Sequence, residues 1–348
     1  MLTNPEEIFK RYLCGKILSV KELDTSHDPE DRRFVYIVDT DSDEHIVFKF
    51  SKNSFTSPKR IAAWKQLIDL YNKCGIYSPR ILPDIYGCLW NKYLEGGEQY
   101  IVYAEEKKRY KTTDEFGLSG SDNSLYFEDM VKAAAAIAQC STDLPDWKSA
   151  WCIYDTFCKE DKTDETYFWQ DAFHRLVVQE MSAFHEQADR IWNRFLFMYS
   201  SFEPRHRALP QAFFQGDSGG LNVMLDDNRK FAGLLDFNLA GAEVILNYFF
   251  REFCRVRINS GDIHLLDHAA FLQAKDSEMR QRLDTVKKYY RFTHAERMAF
   301  PTYYNIVYPL ECDLCQMFEQ VIHQKDPCKV KLILDWIEYQ QTRDSISL

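Results

Sequence analysis

The sequence predicts an α+β fold of two lobes, a small N-terminal lobe with an antiparallel sheet (residues 1–106) and a larger, mainly helical C-terminal lobe (residues 107–348). Three observations predict this fold. Apolar runs of strand length, separated by polar and turn-rich stretches, occupy the first lobe. Apolar residues at helical spacing fill most of the second lobe. The chain has 348 residues, which is long enough for two domains.

The first lobe is predicted to consist of strands interrupted by one helix. The predicted strands are residues 17–23, 33–39, 45–50, 86–93 and 99–104. Short turns join the first three strands into a meander, and the Gly96-Gly97 turn joins the last two. A helix is predicted from Ser57-Pro58 to about Gly75, because proline suits a first helical turn and apolar residues then recur on one face.

The second lobe begins with a polar segment, residues 107–123, whose glycine and serine content predicts a mobile connection. Helical spacing of apolar residues follows. The predicted helices are residues 125–140, one or two helices within 166–200, and then 242–257, 265–274, 278–290, 303–324 and 329–341.

A strand-loop-strand pattern interrupts these helices. Apolar runs at residues 212–214, 223–225 and 231–235 surround the loop Gly216-Asp217-Ser218-Gly219-Gly220-Leu221-Asn222. Turn residues near Asn228-Arg229 predict a β-hairpin. Antiparallel pairing about that turn puts Asn222 opposite Asp236, at the open mouth of the hairpin.

These positions suit phosphoryl transfer. The amide oxygen of Asn222 and the carboxylate of Asp236 are hard ligands, which Mg²⁺ prefers. Asp217 lies beside them, where a carboxylate can align an attacking hydroxyl and accept its proton. Aspartate and asparagine are also common turn residues, so each residue alone is explained as a strand cap. The three together, each next to an apolar strand, favour a site.

The same loop contains Gly216-Asp217-Ser218-Gly219-Gly220, which imitates the nucleophile loop of chymotrypsin-like proteases. A serine nucleophile needs a histidine base that is itself held by a carboxylate. None of the nine histidines lies ahead of Ser218 in the sequence context that such a base has, and helical patterns flank the loop. The phosphotransferase interpretation is therefore favoured.

At these residues the chain resembles the aminoglycoside phosphotransferase and choline kinase family, which has a protein-kinase-like fold. The resemblance rests on Gly216-Asp217-x4-Asn222 with Asp236-Phe237, supported by Arg207-Ala208-Leu209-Pro210 and Asn238-Leu239-Ala240-Gly241. It implies that Asp217 is the catalytic aspartate, that Asn222 and Asp236 are metal ligands, and that the cofactors are ATP and Mg²⁺.

The resemblance also implies a nucleotide site in the first lobe. Lys49 is flanked by large apolar residues on a strand, and its ammonium is expected to meet ATP phosphates unless its stem reaches solvent at a sheet edge. Glu105 belongs to the expected hinge, residues 104–106, whose backbone is expected to bind the adenine edge. The loop at residues 24–32 has no glycine, so Ser26, nearby amides, and Arg32 or Arg33 are left to approach the phosphates.

Three departures from the family pattern stand out. No glutamate lies between Lys52 and Asp84, where relatives place the partner of the strand lysine, and Gln66 and Asp69 are the remaining candidates. Gln215 replaces a histidine before the catalytic loop. Asn247 replaces an aspartate after the metal loop.

Composition narrows the class of partner. The formal net charge of −10 argues against nucleic acid or an anionic membrane and favours a cationic small-molecule acceptor. Glu243, Glu252, Asp262 and Asp267 are candidates to line its pocket. Neither a signal peptide nor an apolar run long enough to span a bilayer is predicted.

The ten scattered cysteines fit reduced thiols in the cytoplasm. Cys312 and Cys315, with His323 and Cys328 downstream, have ligand types that zinc uses, but cysteines three apart on a helix also simply share a face.

The sequence thus predicts an ATP- and Mg²⁺-dependent phosphotransferase that phosphorylates a hydroxyl of a small molecule, such as an aminoglycoside-like or amino-alcohol compound. The alternative is a catalytically inactive kinase-like module that binds a ligand or protein. The missing helix glutamate and Gln215 favour the alternative, whereas Lys49, Asp217, Asn222 and Asp236 favour the enzyme.

Overall fold

The computed structural model describes residues 2–118, 126–140, 143–343 and 348. The chain forms two compact units, one of residues 1–126, 158–160 and 215–240, the other of residues 127–157, 161–214 and 241–348. The loop and hairpin with Asp217, Asn222 and Asp236 therefore belong to the same unit as the N-terminal sheet. The lobe boundary at residue 106 stays a prediction.

The first three strands lie close to their predicted positions. The strands are β1 (Ile17–Asp24), β2 (Arg32–Thr40), β3 (His45–Lys52), β4 (Ile81–Leu82), β5 (Asn91–Glu95), β6 (Glu98–Glu106), β7 (Lys111–Thr112), β8 (Gln211–Phe214), β9 (Val223–Leu225), β10 (Phe231–Leu234) and β11 (Gly241–Val244). The main sheet has the order β1-β2-β3-β6-β4, with β5 also paired to β6. Strand pairs β10-β9-β7 and β11-β8 form two smaller sheets.

The helices occupy mostly the second unit. They are α1 (Glu6–Phe9), α2 (Pro58–Lys73), α3 (Phe127–Cys140), α4 (Glu165–Glu180), α5 (His185–Arg207), α6 (Ile245–Phe249), α7 (Ala269–Tyr289), α8 (His294–Val307), α9 (Cys312–His323) and α10 (Pro327–Thr342). Aromatic residues form much of the core of that unit, as where the ring of Phe250 meets those of Phe300, Tyr303, Tyr304 and Tyr308. Over the described ranges, no helix is both long and apolar enough to cross a bilayer.

The two faces of the main sheet have different surroundings. β1, β2 and β3 form the predicted antiparallel meander, and β6 pairs antiparallel with β3. Side chains alternate between faces along each strand. One face packs into the hydrophobic core with α1, through residues that include Phe34, Tyr36, Phe48, Phe50 and Val102. The other face presents Arg33, Val35, Lys49, Ser51, Tyr103 and Glu105, and we call it the site face.

The helix predicted at Ser57-Pro58 is confirmed as α2. The hydroxyl of Ser57 accepts a hydrogen bond from the N–H of Arg60 at 3.3 Å, and Pro58 occupies the first turn, where a missing N–H costs nothing. The indole of Trp64 packs against Tyr103 of the site face. The chain leaves the helix through Gly75, whose φ of 80° favours glycine.

The connection after β6 is more regular than predicted. Residues 111–112 form β7, which pairs with β9, and the N–H of Thr113 donates to the carbonyl of Val223 at 3.0 Å. This part of the predicted mobile connection is instead a strand attached to the hairpin through β9. Residues 119–125, which include the rest of the connection and the predicted start of α3, lie outside the described residues.

Four other predictions of element boundaries were wrong. The predicted helix 242–257 begins as β11, because Gly241–Val244 pairs with β8 and tertiary pairing overrides the apolar pattern. The predicted helices 265–274 and 278–290 are one helix, α7, and 303–324 is divided into α8 and α9 around Pro309. β5 begins only at Asn91, because the carboxylate of Asp84 accepts the N–H groups of Tyr86 and Cys88 and makes a turn.

The predicted hairpin is present as β9 and β10, with one change of register. Leu225 pairs with Phe231 and Val223 with Leu234, and the register shifts between Phe231 and Gly233. The N–H of Leu235 then donates to the carbonyl of Asn222 at 2.8 Å. Asn222 therefore lies opposite Leu235, one residue from the predicted Asp236. The turn is centred on Asn228, which alone would place Asn222 opposite Leu234, and the extra residue in β10 shifts the pairing by one.

Gly233 attaches this hairpin to the segment after α2. The carbonyl of Tyr77 accepts the N–H of Leu234 at 3.0 Å, and the N–H of Tyr77 donates to Ala232 at 3.1 Å. A Cβ atom on Gly233 would lie 1.7 Å from the carbonyl oxygen of Tyr77. Only glycine permits this approach.

We expect Gly233→Ala to lower the free energy of unfolding by about 1–3 kcal/mol, because the added methyl must displace the backbone of Tyr77. Denaturant unfolding measures this. Gly261→Ala is the matched control, since a Cβ there meets no atom within 4 Å. Equal stability of Gly233→Ala and the wild type would show that the attachment at Tyr77 is not tight.

Candidate active site

Lys49 lies on the site face with its ammonium between two carboxylates. Its Nζ is 3.1 Å from Oε2 of Glu105 and 3.4 Å from Oδ1 of Asp236, and its side chain is 18% exposed. Burial disfavours its charge, but the carboxylates of Asp236 and Glu105 outweigh burial and raise its pKa well above the ordinary value. Lys49 is therefore a fully charged ammonium held in place, and it does not snorkel to solvent.

Glu105 provides the carboxylate partner of Lys49, which the family pattern places in helix α2. Lys49 pairs across the sheet with Tyr103, and Glu105 lies two residues further along β6 on the same face. Neither helix candidate takes this role, because Gln66 is exposed and Asp69 pairs with Lys65 at 2.7 Å. The sequence alone does not reveal Glu105 as the partner, because the partner depends on the register of β3 and β6.

The expected hinge lies inside the sheet. Backbone from Ala104 to Glu106 pairs with β3 on one side, and Ala104 and Glu105 pair with β4 on the other. The N–H of Glu106 donates to Arg80 at 2.9 Å, and the N–H of Lys107 donates to His45 at 3.1 Å. Glu105 thus reaches the site through its side chain.

Asp217 and Asn222 contact each other directly. The amide nitrogen of Asn222 donates to Oδ2 of Asp217 at 2.8 Å and to its backbone carbonyl at 3.2 Å, and the N–H of Gly219 donates to Oδ1 at 3.0 Å. Because the nitrogen of Asn222 is directed at Asp217, its oxygen Oδ1 points the other way. Burial and the charge of Asp236 raise the pKa of Asp217, against these hydrogen bonds.

Gln215 connects the two loops of the site. Its Nε2 donates to the carbonyls of Leu235 and Asp236 at 2.7 and 2.6 Å, and its Oε1 accepts the N–H of Asp217 at 2.7 Å. The side chain is completely buried. These bonds hold Asp236 at a φ of 53°, in the left-handed region that aspartate tolerates better than most residues. Gln215 therefore provides backbone support where the family resemblance implied a histidine.

Gly216 lets the loop that contains Asp217 lie close to the segment that follows Asp236. Its φ is 90°, and a Cβ atom there would lie 2.4 Å from the carbonyl oxygen of Leu239. Any other residue at this position would separate Asp217 from the segment that follows Asp236.

The predicted residues border one cavity of about 640 Å³ in the first unit. Its walls include Lys49, Tyr103, Asp217, Asn222 and Asp236. The volume is within the range of small-molecule and cofactor sites. Glu105 lies behind Lys49, as the partner of its ammonium.

Glu243 and Asn247, two other polar residues singled out from the sequence, make hydrogen bonds within the second unit. Glu243 is buried and accepts hydrogen bonds from the hydroxyl of Ser149 and the N–H of Val244. Asn247 donates to the carbonyl of Trp151 at 2.9 Å and accepts from the hydroxyl of Tyr303. Both residues contribute to a hydrogen-bonded core.

Asp262, Asp267 and Cys315 show no sign of a binding role. Asp262 belongs to a capping box with Asn259, and Asp267 is exposed. Cys315 is buried in α9, and the described ranges contain no group of three or more histidine, cysteine or acidic side chains arranged to hold a metal ion.

Comparisons with known proteins agree with this geometry. The sequence matches the phosphotransferase enzyme family (APH) over residues 26–246. A comparison with curated proteins gives no match. Among solved structures, an amicoumacin kinase in complex with AMP-PNP, Ca²⁺ and Ami is 11% identical, with 97% of this chain and 93% of that chain covered and a TM-score of 0.52.

An aminoglycoside phosphotransferase from Alicyclobacillus acidocaldarius is 12% identical, with 97% and 96% covered and a TM-score of 0.49. At such identity, the likeness to the amicoumacin kinase concerns the fold alone. The predicted α+β, two-lobed, protein-kinase-like fold is confirmed, and the protease interpretation of Ser218 is excluded with it. Because the family match covers more than half of the 348 residues, the chain belongs to the APH phosphotransferase family.

Proposed function

We propose that this protein is an ATP- and Mg²⁺-dependent kinase that transfers the γ-phosphoryl group to a hydroxyl of a small molecule. The observation that carries the proposal is the meeting of Lys49, Asp217, Asn222 and Asp236 at one cavity of a single compact unit. Phosphoryl transfer needs little covalent help from the protein, because positioning and neutralisation of charge lower most of the barrier.

Asp217 is the proposed catalytic residue. Its carboxylate is half-buried at the cavity wall and fixed by Asn222 and the N–H of Gly219. A carboxylate in this setting orients the acceptor hydroxyl and accepts its proton as the oxygen attacks phosphorus. Its raised pKa makes it a stronger base than an ordinary aspartate.

Asn222 and Asp236 are the proposed metal ligands. The Oδ1 atom of Asn222 points away from Asp217, and the Asp236 carboxylate lies at the cavity, so both offer hard oxygen atoms. The surroundings fit a cation, since the Asp236 carboxylate is close enough to Asp217 for its charge to raise the pKa of that carboxyl. A bound divalent ion neutralises phosphate charge and lets a polyphosphate enter this negative environment.

Lys49 is the proposed nucleotide-binding cation, and Glu105 contributes by holding it. The ammonium of Lys49 is ion-paired on both sides, which fixes its position for contact with phosphate oxygens. The absence of a helix glutamate was the main argument for an inactive binding module. Glu105 provides a carboxylate for Lys49, so that argument loses its support and the enzyme is preferred.

The acceptor is proposed to be a cationic, hydroxylated small molecule. The formal net charge of −10 supports this choice. The amicoumacin kinase of similar fold, solved with AMP-PNP, Ca²⁺ and Ami, supports a small-molecule acceptor. The ten cysteines are scattered through the chain without regular spacing, which suits reduced thiols, and we propose the cytoplasm as the location.

We expect Asp217→Asn to lower turnover by about 10²- to 10⁴-fold, since the hydroxyl loses its proton acceptor, while binding of ATP with Mg²⁺ is retained. An ADP-release screen of aminoglycosides, amino-alcohols and sugar alcohols first identifies the acceptor, and thermal shift with ATP and Mg²⁺ measures binding. Asp227→Asn, in the exposed hairpin turn, is the control. Normal turnover by Asp217→Asn would refute the catalytic role.

We expect Glu105→Gln to reduce kcat/KM for ATP by about 10- to 100-fold, because Lys49 loses a charged hydrogen bond and turns toward Asp236. Glu106→Gln is the matched control, since the neighbouring side chain faces Arg80 at 4.0 Å. Steady-state kinetics at varied ATP measures both. Equal effects of the two substitutions on kcat/KM for ATP would show that Glu105 does not hold Lys49 for nucleotide binding.

We expect Gln215→Leu to lower kcat by at least about tenfold, because two carbonyls and one N–H lose buried partners and Asp236 is no longer fixed relative to Asp217. Gln215→His restores a ring N–H donor and is expected to recover part of the activity. Activity is compared at equal fractions of folded protein, measured by circular dichroism. A wild-type kcat for Gln215→Leu would show that the hydrogen bonds of Gln215 do not position Asp217 and Asp236.

A further inference from the structure

The β1–β2 loop beside the nucleotide cavity has an unusual composition for a phosphate-binding loop. Residues 24–32 contain no glycine, yet Thr25 and His27 of the loop, and Arg33 directly after it, border the cavity. Glycine-rich loops bind phosphate because their backbone N–H groups face the ligand without side chains in between. A loop of this kind must have free N–H groups.

Most N–H groups of this loop already have partners in the protein. Those of Thr25, Ser26 and His27 donate to Arg33, Asp24 and Asp31. Asp28 accepts the N–H groups of Glu30 and Asp31, and the hydroxyl of Ser26 accepts the N–H of Arg33 at 3.0 Å. Pro29 has no N–H. The loop is a closed turn, so its backbone offers no cradle of amides for a phosphate.

The side chain of Arg33 lies at the cavity and can donate the hydrogen bonds that the backbone of this loop does not offer. Arg33 pairs with Ser51 and Val35 pairs with Lys49, so Arg33 and Lys49 are diagonal neighbours on the site face. Arg32 points to the opposite face and is exposed. The sequence left Arg32 and Arg33 as equal candidates, and strand alternation selects Arg33.

Three contacts orient the guanidinium of Arg33. Nε donates to Oδ1 of Asp31 at 2.7 Å, and Nη2 donates to Oδ2. The amide of Asn53 donates to the same carboxylate at 3.0 Å, and the guanidinium lies 4.9 Å from the ring centre of Phe55. Although burial raises it, the hydrogen bonds from Arg33 and Asn53 lower the pKa of Asp31, so the pair is ionised.

Arg33 retains donors after these contacts. The guanidinium has five N–H groups, and the carboxylate of Asp31 uses two of them. Within residues 2–118, 126–140 and 143–343, Nη1 has no hydrogen-bond acceptor, and the side chain remains 20% exposed at the cavity. The free edge of an oriented, planar cation matches two oxygens of a phosphate.

We propose that Arg33 binds the nucleotide phosphates and replaces the backbone amides of a glycine-rich loop, with Asp31 as the residue that orients it. This inference rests on the proposed nucleotide site. Phosphate binding on this sheet then depends on two side-chain cations, Lys49 and Arg33, each held by its own carboxylates.

Isothermal titration of the full chain with ATP, ADP and adenosine, each with Mg²⁺, tests the proposal. We expect Arg33→Gln to weaken ATP binding by about 10- to 100-fold and to leave adenosine affinity unchanged, because only the phosphates lose a charged hydrogen bond. Arg33→Lys keeps the charge without the fork and is expected to lose less affinity for ATP. It serves as the test variant if Arg33→Gln does not fold.

Arg32→Gln is the matched control, since it changes the net charge equally at the neighbouring exposed position. ATP affinity of Arg33→Gln equal to that of Arg32→Gln overturns the role of Arg33 alone. An equal loss of ATP and adenosine affinity also overturns it, because Arg33 would then only maintain the fold. Wild-type protein that binds none of the three ligands overturns the nucleotide site as a whole, and Arg33 with it.

Discussion

The ion-paired ammonium of Lys49 is the contact on which the rest of the site depends. It joins Glu105, from the same sheet, to Asp236, from a hairpin 187 residues away in sequence. Removing these charges from water costs several kcal/mol per ion, which their attraction repays only with good geometry. Such a cluster contributes little to net stability, but it specifies one position for Lys49 and for the loop that contains Asp236.

The surrounding structure has glycines and polar side chains where this geometry requires them. Gly216 and Gly233 lie where a Cβ atom would strike a backbone carbonyl. Gln215 is buried and fixes the loop of Asp217 relative to that of Asp236 through three hydrogen bonds, and Asp31 orients Arg33. Charged groups of the site are therefore held by neighbours that are themselves fixed, which keeps them positioned before a ligand arrives.

Much of the site was predictable because its signals are local. Loop chemistry and the apolar runs of β9 and β10 identified Asp217, Asn222 and Asp236, and strand alternation identified Lys49. The partner of Lys49 was not predictable, since it depends on which residue of β6 is the diagonal neighbour of Lys49 on β3. The centre of the turn and the bulge in β10 were equally hidden, and together they place Asn222 opposite Leu235 instead of Asp236.

The sequence by itself determined the strand meander, helix α2, the hairpin and the identity of the catalytic and metal-binding candidates, because these follow from periodicity, caps and turn chemistry within short stretches. Tertiary structure decided the pairing of Lys49 with Glu105, the connecting role of Gln215, the choice of Arg33 over Arg32, and the strand at Gly241–Val244. These outcomes depend on contacts between segments far apart in the chain, which no local pattern records.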